Sequence, residues 1–309
     1  MINIKNQNFG IEIELTGITR TDAAGIISAY FGGTAVQNHL SDEYDTSIAY
    51  DTKGRKWKCS RDISIVPQKK VNGHIVNVRE GRTSNDLRCE VVSPILQYDD
   101  IEDLQQIVRN LVAGGALAND SCGIHVHIDG ANHNAESLIK LVNLFTGRQD
   151  LFYEALQNED RAARWCQKSS KDMLKAMKNG EHTKEALERV YYSDLNNGYR
   201  GGIDHSHYCN ARYRGLNLHA LYTKGTVEFR LFNGTTHAGK IKAYIQFCLA
   251  MSAWAINSTK DPYFRSVGSY TKEQKLTIME GFLTKRLGLT GAEFKTARTH
   301  LTAAFREAC

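Results

Sequence analysis

Four short segments alternate apolar residues with acidic, basic or imidazole ones. They are Phe9-Gly10-Ile11-Glu12-Ile13-Glu14-Leu15, Arg88-Cys89-Glu90-Val91-Val92, Gly123-Ile124-His125-Val126-His127-Ile128-Asp129 and Thr226-Val227-Glu228-Phe229-Arg230-Leu231-Phe232. Side chains on an extended strand point alternately to the two faces of a sheet. Glu12 and Glu14 therefore face one way, and Ile11, Ile13 and Leu15 the other. The same alternation groups His125, His127 and Asp129, and pairs Glu228 with Arg230. If the four strands share a sheet, one face is hydrophobic and the other carries mutually repelling carboxylates. Such a face needs cations, which points to a metal-dependent active site lining a sheet.

The rest of the chain fits an α+β fold. A strand over about 8–16 precedes a helix that Asp22 is placed to cap and that Gly32-Gly33 ends. Segments 46–50 and 55–59 flank Asp51-Thr52-Lys53-Gly54 as a hairpin, with 61–65 continuing the second arm. A further hairpin is expected through Val71-Asn72-Gly73, then a strand over 87–93 and an amphipathic helix over 99–112. Residues 135–156 read as one helix, and 157–206 as a helical and loop excursion over the site. Two strands, 214–221 and 226–232, are expected around a tight turn at 223–225. Helices follow from about 238, with Thr271 and Thr290 as caps. The expectation is a single domain over 1–309, with helices on one side of the sheet and the carboxylate face open.

With 309 residues and 41% hydrophobic content, the chain can bury a large core. A net charge of +5 suits an anionic substrate but is too weak and dispersed to argue for a nucleic-acid partner. The seven cysteines include no CxxC pair, which favours a reducing compartment over a disulfide framework. The first residues lack an apolar signal region, and the longest apolar stretch, 244–256, is too short to span a bilayer. A cytoplasmic protein is expected.

Each motif has a plainer reading. Glu12 and Glu14 could line a solvated edge strand, although Glu is depleted in strands. A lone histidine is usually a satisfied core residue, but His125 and His127 converge on one face and could bind zinc. The surrounding carboxylates instead favour Mg²⁺ or Mn²⁺. Glu228 and Arg230 could form an ion pair, or hold metal and phosphate respectively. An arginine fork suits phosphate, so Arg212 and Arg214 are further candidates. Asp62 is either a turn residue or functional, and His205 and His207 read as solvated loop residues. No phosphate-binding glycine loop and no GxSxG elbow is present. A nucleotide, if one binds, binds through metals and arginines.

In chain order, the Phe9–Glu14 motif, Glu90-Val91-Val92-Ser93-Pro94-Ile95-Leu96, Cys122-Gly123-Ile124-His125-Val126-His127, Tyr213-Arg214-Gly215-Leu216-Asn217-Leu218 and the run from Thr226 to Thr235 resemble the putative amidoligase family. That family is related to glutamine synthetase and glutamate–cysteine ligase. Trp57 to Ile65 and Arg164-Trp165-Cys166 resemble weaker landmarks. The resemblance implies a curved, mainly antiparallel sheet with the site on one face and helices on the other, as in the glutamine synthetase catalytic domain. It implies an ATP-dependent carboxylate–amine ligase acting through an acyl phosphate on an amino acid, peptide or related substrate. Glu12, Glu14, Glu90, His125 and Glu228 would hold Mg²⁺ or Mn²⁺. His127 would face nucleotide or substrate, Arg230 would face the transferred phosphate, and Asp62 would take the proton of the amine. Competing readings are a guanidino-kinase-like phosphotransferase, a zinc amidohydrolase built on His125 and His127, and a non-catalytic nucleotide- or metal-binding protein.

Overall fold

The alternating segments form strands, interleaved with helices, in a mixed α+β architecture. The computed structural model describes residues 1–33, 37–39, 44–194, 202–262 and 267–306. Its strands are β1 (Phe9–Leu15), β2 (Gln37–His39), β3 (Thr46–Tyr50), β4 (Lys56–Ser60), β5 (Gln68–Val71), β6 (His74–Asn77), β7 (Cys89–Val92), β8 (Gly123–Asp129), β9 (Leu216–Asn217) and β10 (Thr226–Asn233). The chain divides into two compact units. The first comprises Asn8–Val126 and Asn233–Lys242; the second comprises Met1–Gln7, His127–Phe232 and Ala243–Cys309.

In the first unit the strands run in the order β2-β3-β4-β7-β1, each pair antiparallel, with the first residues of β8 beside β1. Ile11, Ile13 and Leu15 of β1 are at most 2% exposed, and Cys59, Cys89 and Val91 are equally buried. Helix α1 (Arg20–Tyr30) packs on β3, β4, β7 and the Ile101–Ala113 helix. Burying each large aliphatic side chain in this layer contributes about 1.5–3 kcal/mol. The β5–β6 hairpin forms as a separate ribbon through Asn72-Gly73.

Some expected boundaries move. Thr19, not Asp22, caps α1: its hydroxyl accepts the Asp22 N–H at 3.1 Å. Asp22 sits within the first turn, where a carboxylate favours the helix dipole. The second hairpin arm stops at Ser60, and 61–65 turn away from the sheet. There the Asp62 carboxylate accepts the Ser64 N–H at 2.8 Å, a local bond that competes with strand pairing.

In the second unit the expected 135–156 helix is two helices, Ala135–Thr146 and Gln149–Leu156, because Gly147 ends the first. Among the described residues of the excursion, short helices form at Glu159–Ala162, Lys171–Asn179 and Lys184–Ser193, and 195–201 lie outside the described residues. The expected strand over 214–221 shortens to β9, and the turn is instead a helix, His219–Lys224. Gly225, at φ +76°, closes that helix in the left-handed conformation that glycine adopts without a Cβ penalty. Thr271 caps Lys272–Gly281 as expected, whereas Phe294, not Thr290, precedes the Lys295–Leu301 helix. Phe145, Phe152, Phe229 and Phe247 meet in this unit's core in tilted and edge-to-face pairs, with centroids 5.2–6.2 Å apart. Among the described residues no helix is long and apolar enough to cross a membrane.

Candidate functional site

The register of β1 and β7 sets Glu14 directly opposite Glu90, and β4 presents Ser60 to Glu90 from the other side. Like charges placed directly across an antiparallel pair destabilise it. Asp62, just beyond the end of β4, adds another carboxylate: one oxygen from each of Glu14, Asp62 and Glu90 lies within 4.8 Å of the others. Ligand atoms of Glu12, Glu90 and His125 also lie within 4.8 Å of one another, so Glu90 belongs to both groups. At that spacing each carboxylate pair repels by roughly 3 kcal/mol at an effective dielectric of about 20.

The protein's own donors offset part of this repulsion. The Glu14 carboxylate accepts the Gly123 N–H at 2.5 Å. His125 Nδ1 lies 2.8 Å from Glu12 Oε2, and its Nε2 lies 3.5 Å from Glu14 Oε1. The expected open face is in fact largely covered, with Glu14 4% and His125 2% exposed. A set rich in carboxylate oxygens, with one imidazole and no thiolate, fits Mg²⁺ or Mn²⁺.

In the second unit His127, Glu228 and Arg230 come together. Arg230 donates to Glu228 Oε1 at 2.7 Å, and Asn217, opposite Glu228 across β9 and β10, donates to Oε2 at 2.6 Å. His127 Nδ1 shares a hydrogen bond with the Thr226 hydroxyl at 2.8 Å, and its Nε2 lies 3.8 Å from Glu228. Glu228 is 3% and Arg230 6% exposed. Glu228 and Arg230 are thus paired within one strand. Arg214 is equally buried and pairs with Asp194 at 2.6 Å, while Arg212 donates to the His207 carbonyl at 2.8 Å.

Residues that sequence reasoning set aside lie beside Glu228. A cleft of about 220 Å³ is lined by His205, His207, Arg212, Asn217, His219 and Lys224 together with Glu228. Burial, aided by the Arg212 charge, pushes the His219 imidazole below its ordinary value and keeps it neutral. The Tyr192 hydroxyl, 2.6 Å from His219 Nδ1, is raised chiefly by burial and stays protonated. Asn217 carried a sequence signal, since it lies in a motif of the resemblance. The loop histidines carried none, because nothing periodic fixes where a loop residue points.

No curated protein matches the chain. A family model described as "Putative amidoligase enzyme" matches residues 5–252, four-fifths of the sequence. That span takes in the β1, β7, β8 and β10 motifs that carry the carboxylates and imidazoles. The chain belongs to the putative amidoligase family, whose activity is of the ligase type.

Proposed function

We propose that the protein is an ATP-dependent carboxylate–amine ligase with a glutamine synthetase-like sheet, forming an amide by way of an acyl phosphate. The observation that carries this reading is the opposition of Glu14 and Glu90, with Asp62 added to the same group. An arrangement that costs stability in the empty protein is explained if cations compensate it.

In this reading Glu12, Glu90 and His125 hold Mg²⁺ or Mn²⁺ with Glu14 as a further ligand, and Glu228 is a metal ligand in the second unit. A bound divalent ion would supply electrostatic stabilisation of the charge on the transferring phosphoryl group. Arg230, next to Glu228, meets the transferred phosphate; Arg214 and His127 serve the nucleotide. The substrate carboxylate takes the γ-phosphoryl group of ATP, and ADP leaves. The amine then attacks the acyl carbon, inorganic phosphate departs, and the amine's proton passes to a base. Asp62 fills that role, because the carboxylates around it also attract the protonated amine before it reacts.

Two measurements test this. Purified protein with Mg²⁺ and a panel of amino acids and amines should convert ATP to ADP only with an acceptor present, and mass spectrometry should find an amide. A stable phosphorylated product without amide would make the protein a phosphotransferase instead. Replacing Asp62 by Asn should lower amide formation by about 100-fold or more. It should spare hydroxamate formation when hydroxylamine, which reacts without a base, traps the acyl phosphate. Equal loss of both products would remove Asp62 from the proton transfer.

A further inference from the structure

We infer that the cleft beside Glu228 holds an anionic group of the acid substrate, so that this acid carries a second anion besides the carboxylate that reacts. The size of the cleft comes first. Its volume of about 220 Å³ has room for several water-sized groups. A small acid, or the anionic end of one, fits.

The chemistry of the walls comes second. Arg212 and Lys224 bring fixed positive charge to the lining. Arg212 is braced by its bonds to His207, at 2.8 Å to the carbonyl and 3.3 Å to Nε2, which leaves its other donors in a defined fork. His219, held below its ordinary value by burial, adds no fixed charge, and its Nδ1 shares a hydrogen bond with the Tyr192 hydroxyl at 2.6 Å. The carboxylate in the lining, Glu228, is already matched by Arg230 and Asn217. What the cleft offers an occupant is therefore positive charge and N–H donors.

The third point is position. An occupant of this cleft touches Glu228 and Asn217, so its far end reaches the group assigned above to metal and phosphate. Only this step, which makes the occupant a substrate, rests on the ligase reading. A carboxylate and a phosphate share the required chemistry, and the test separates them.

The 309-residue chain, without metal or ATP, is titrated with inorganic phosphate and separately with malonate by calorimetry, with the histidine ring signals followed by NMR. Saturable binding is expected for at least one anion, shifting the His207 and His219 signals. Phosphate alone would point to a phosphorylated acid, and malonate alone to a dicarboxylic one. Lys224→Gln and Arg212→Gln should each weaken binding by about tenfold or more, as for hydrogen bonds to charged groups. Lys224 is exposed, so its variant keeps the fold even if the loop braced by Arg212 shifts. Absence of binding by both anions, or equal affinity in the wild type and Lys224→Gln, overturns the inference. Because neither ATP nor metal is present, failure of the ligase chemistry would leave this result standing, and the reverse holds too.

Discussion

Glu90→Gln is expected to abolish ligase turnover, by about 1,000-fold or more, while making the metal-free protein more stable. Loss of activity follows because Glu90 belongs to both ligand groups, so a single substitution damages each. Removing one electrostatic contact to a transferring group typically costs about 100- to 1,000-fold, and Glu90 serves two. The gain in stability follows from the β1–β7 register. Glutamine opposite Glu14 removes a like-charge pair and keeps the shape, a change worth up to about 1 kcal/mol across strands. A residue needed only for the fold would do the opposite, lowering the melting temperature along with activity. Thermal melts in a chelating buffer, beside turnover assays with Mg²⁺, separate the two cases. A variant that melts lower than wild type without metal would count against the charge argument.

Asp100→Asn should cost about 2 kcal/mol of stability at neutral pH, as losing hydrogen bonds to charged groups does, and the loss should fade in acid. The Asp100 side chain is 6% exposed and accepts from Lys53 at 2.8 Å and from both Arg55 terminal nitrogens at 2.8 and 3.0 Å. The Gln97 N–H adds a bond at 2.8 Å. Burial works to raise this carboxyl, but the Arg55, Gln97 and Lys53 bonds outweigh it and hold it well below the carboxylate range. A depressed folded value means that the stabilisation is complete above the unfolded value of about 3.9. It is lost as pH falls from there toward the folded value. Urea melts of wild type and variant should differ most at pH 7 and converge below about pH 4. A difference that persists unchanged at pH 2 would contradict the assignment.

What the sequence makes legible is local. The period-2 alternation in β1, β7, β8 and β10 is written residue by residue, so the ionisable face of Glu12, Glu14, Glu90, His125 and Glu228 can be read without knowing how the strands pair. Register is another matter. That Glu14 faces Glu90 depends on how β1 and β7 slide past each other, which turns and bulges decide elsewhere. Asp62 is harder still, because its place among the carboxylates depends on β4 ending at Ser60 and the chain turning there. The segment 214–225 shows the ambiguity of short apolar runs. Leu216, Leu218, Ala220 and Leu221 satisfy a strand pattern, yet only Leu216–Asn217 is strand, and His219–Lys224 closes as a helix on Gly225. His205 and His207 lie beyond sequence reasoning because a loop has no period.

Whether the facing carboxylates of β1 and β7 hold divalent ions decides between a ligase site and a purely structural cluster. Calorimetric titration of the metal-free protein with Mn²⁺, paired with melts at increasing Mn²⁺, tests this most directly. Saturable binding is expected in the wild type, with about 2.7 kcal/mol of added stability at a hundred times Kd, and with both effects lost in Glu90→Gln. A wild-type protein that neither binds Mn²⁺ or Mg²⁺ nor melts higher in their presence would contradict the ligase site.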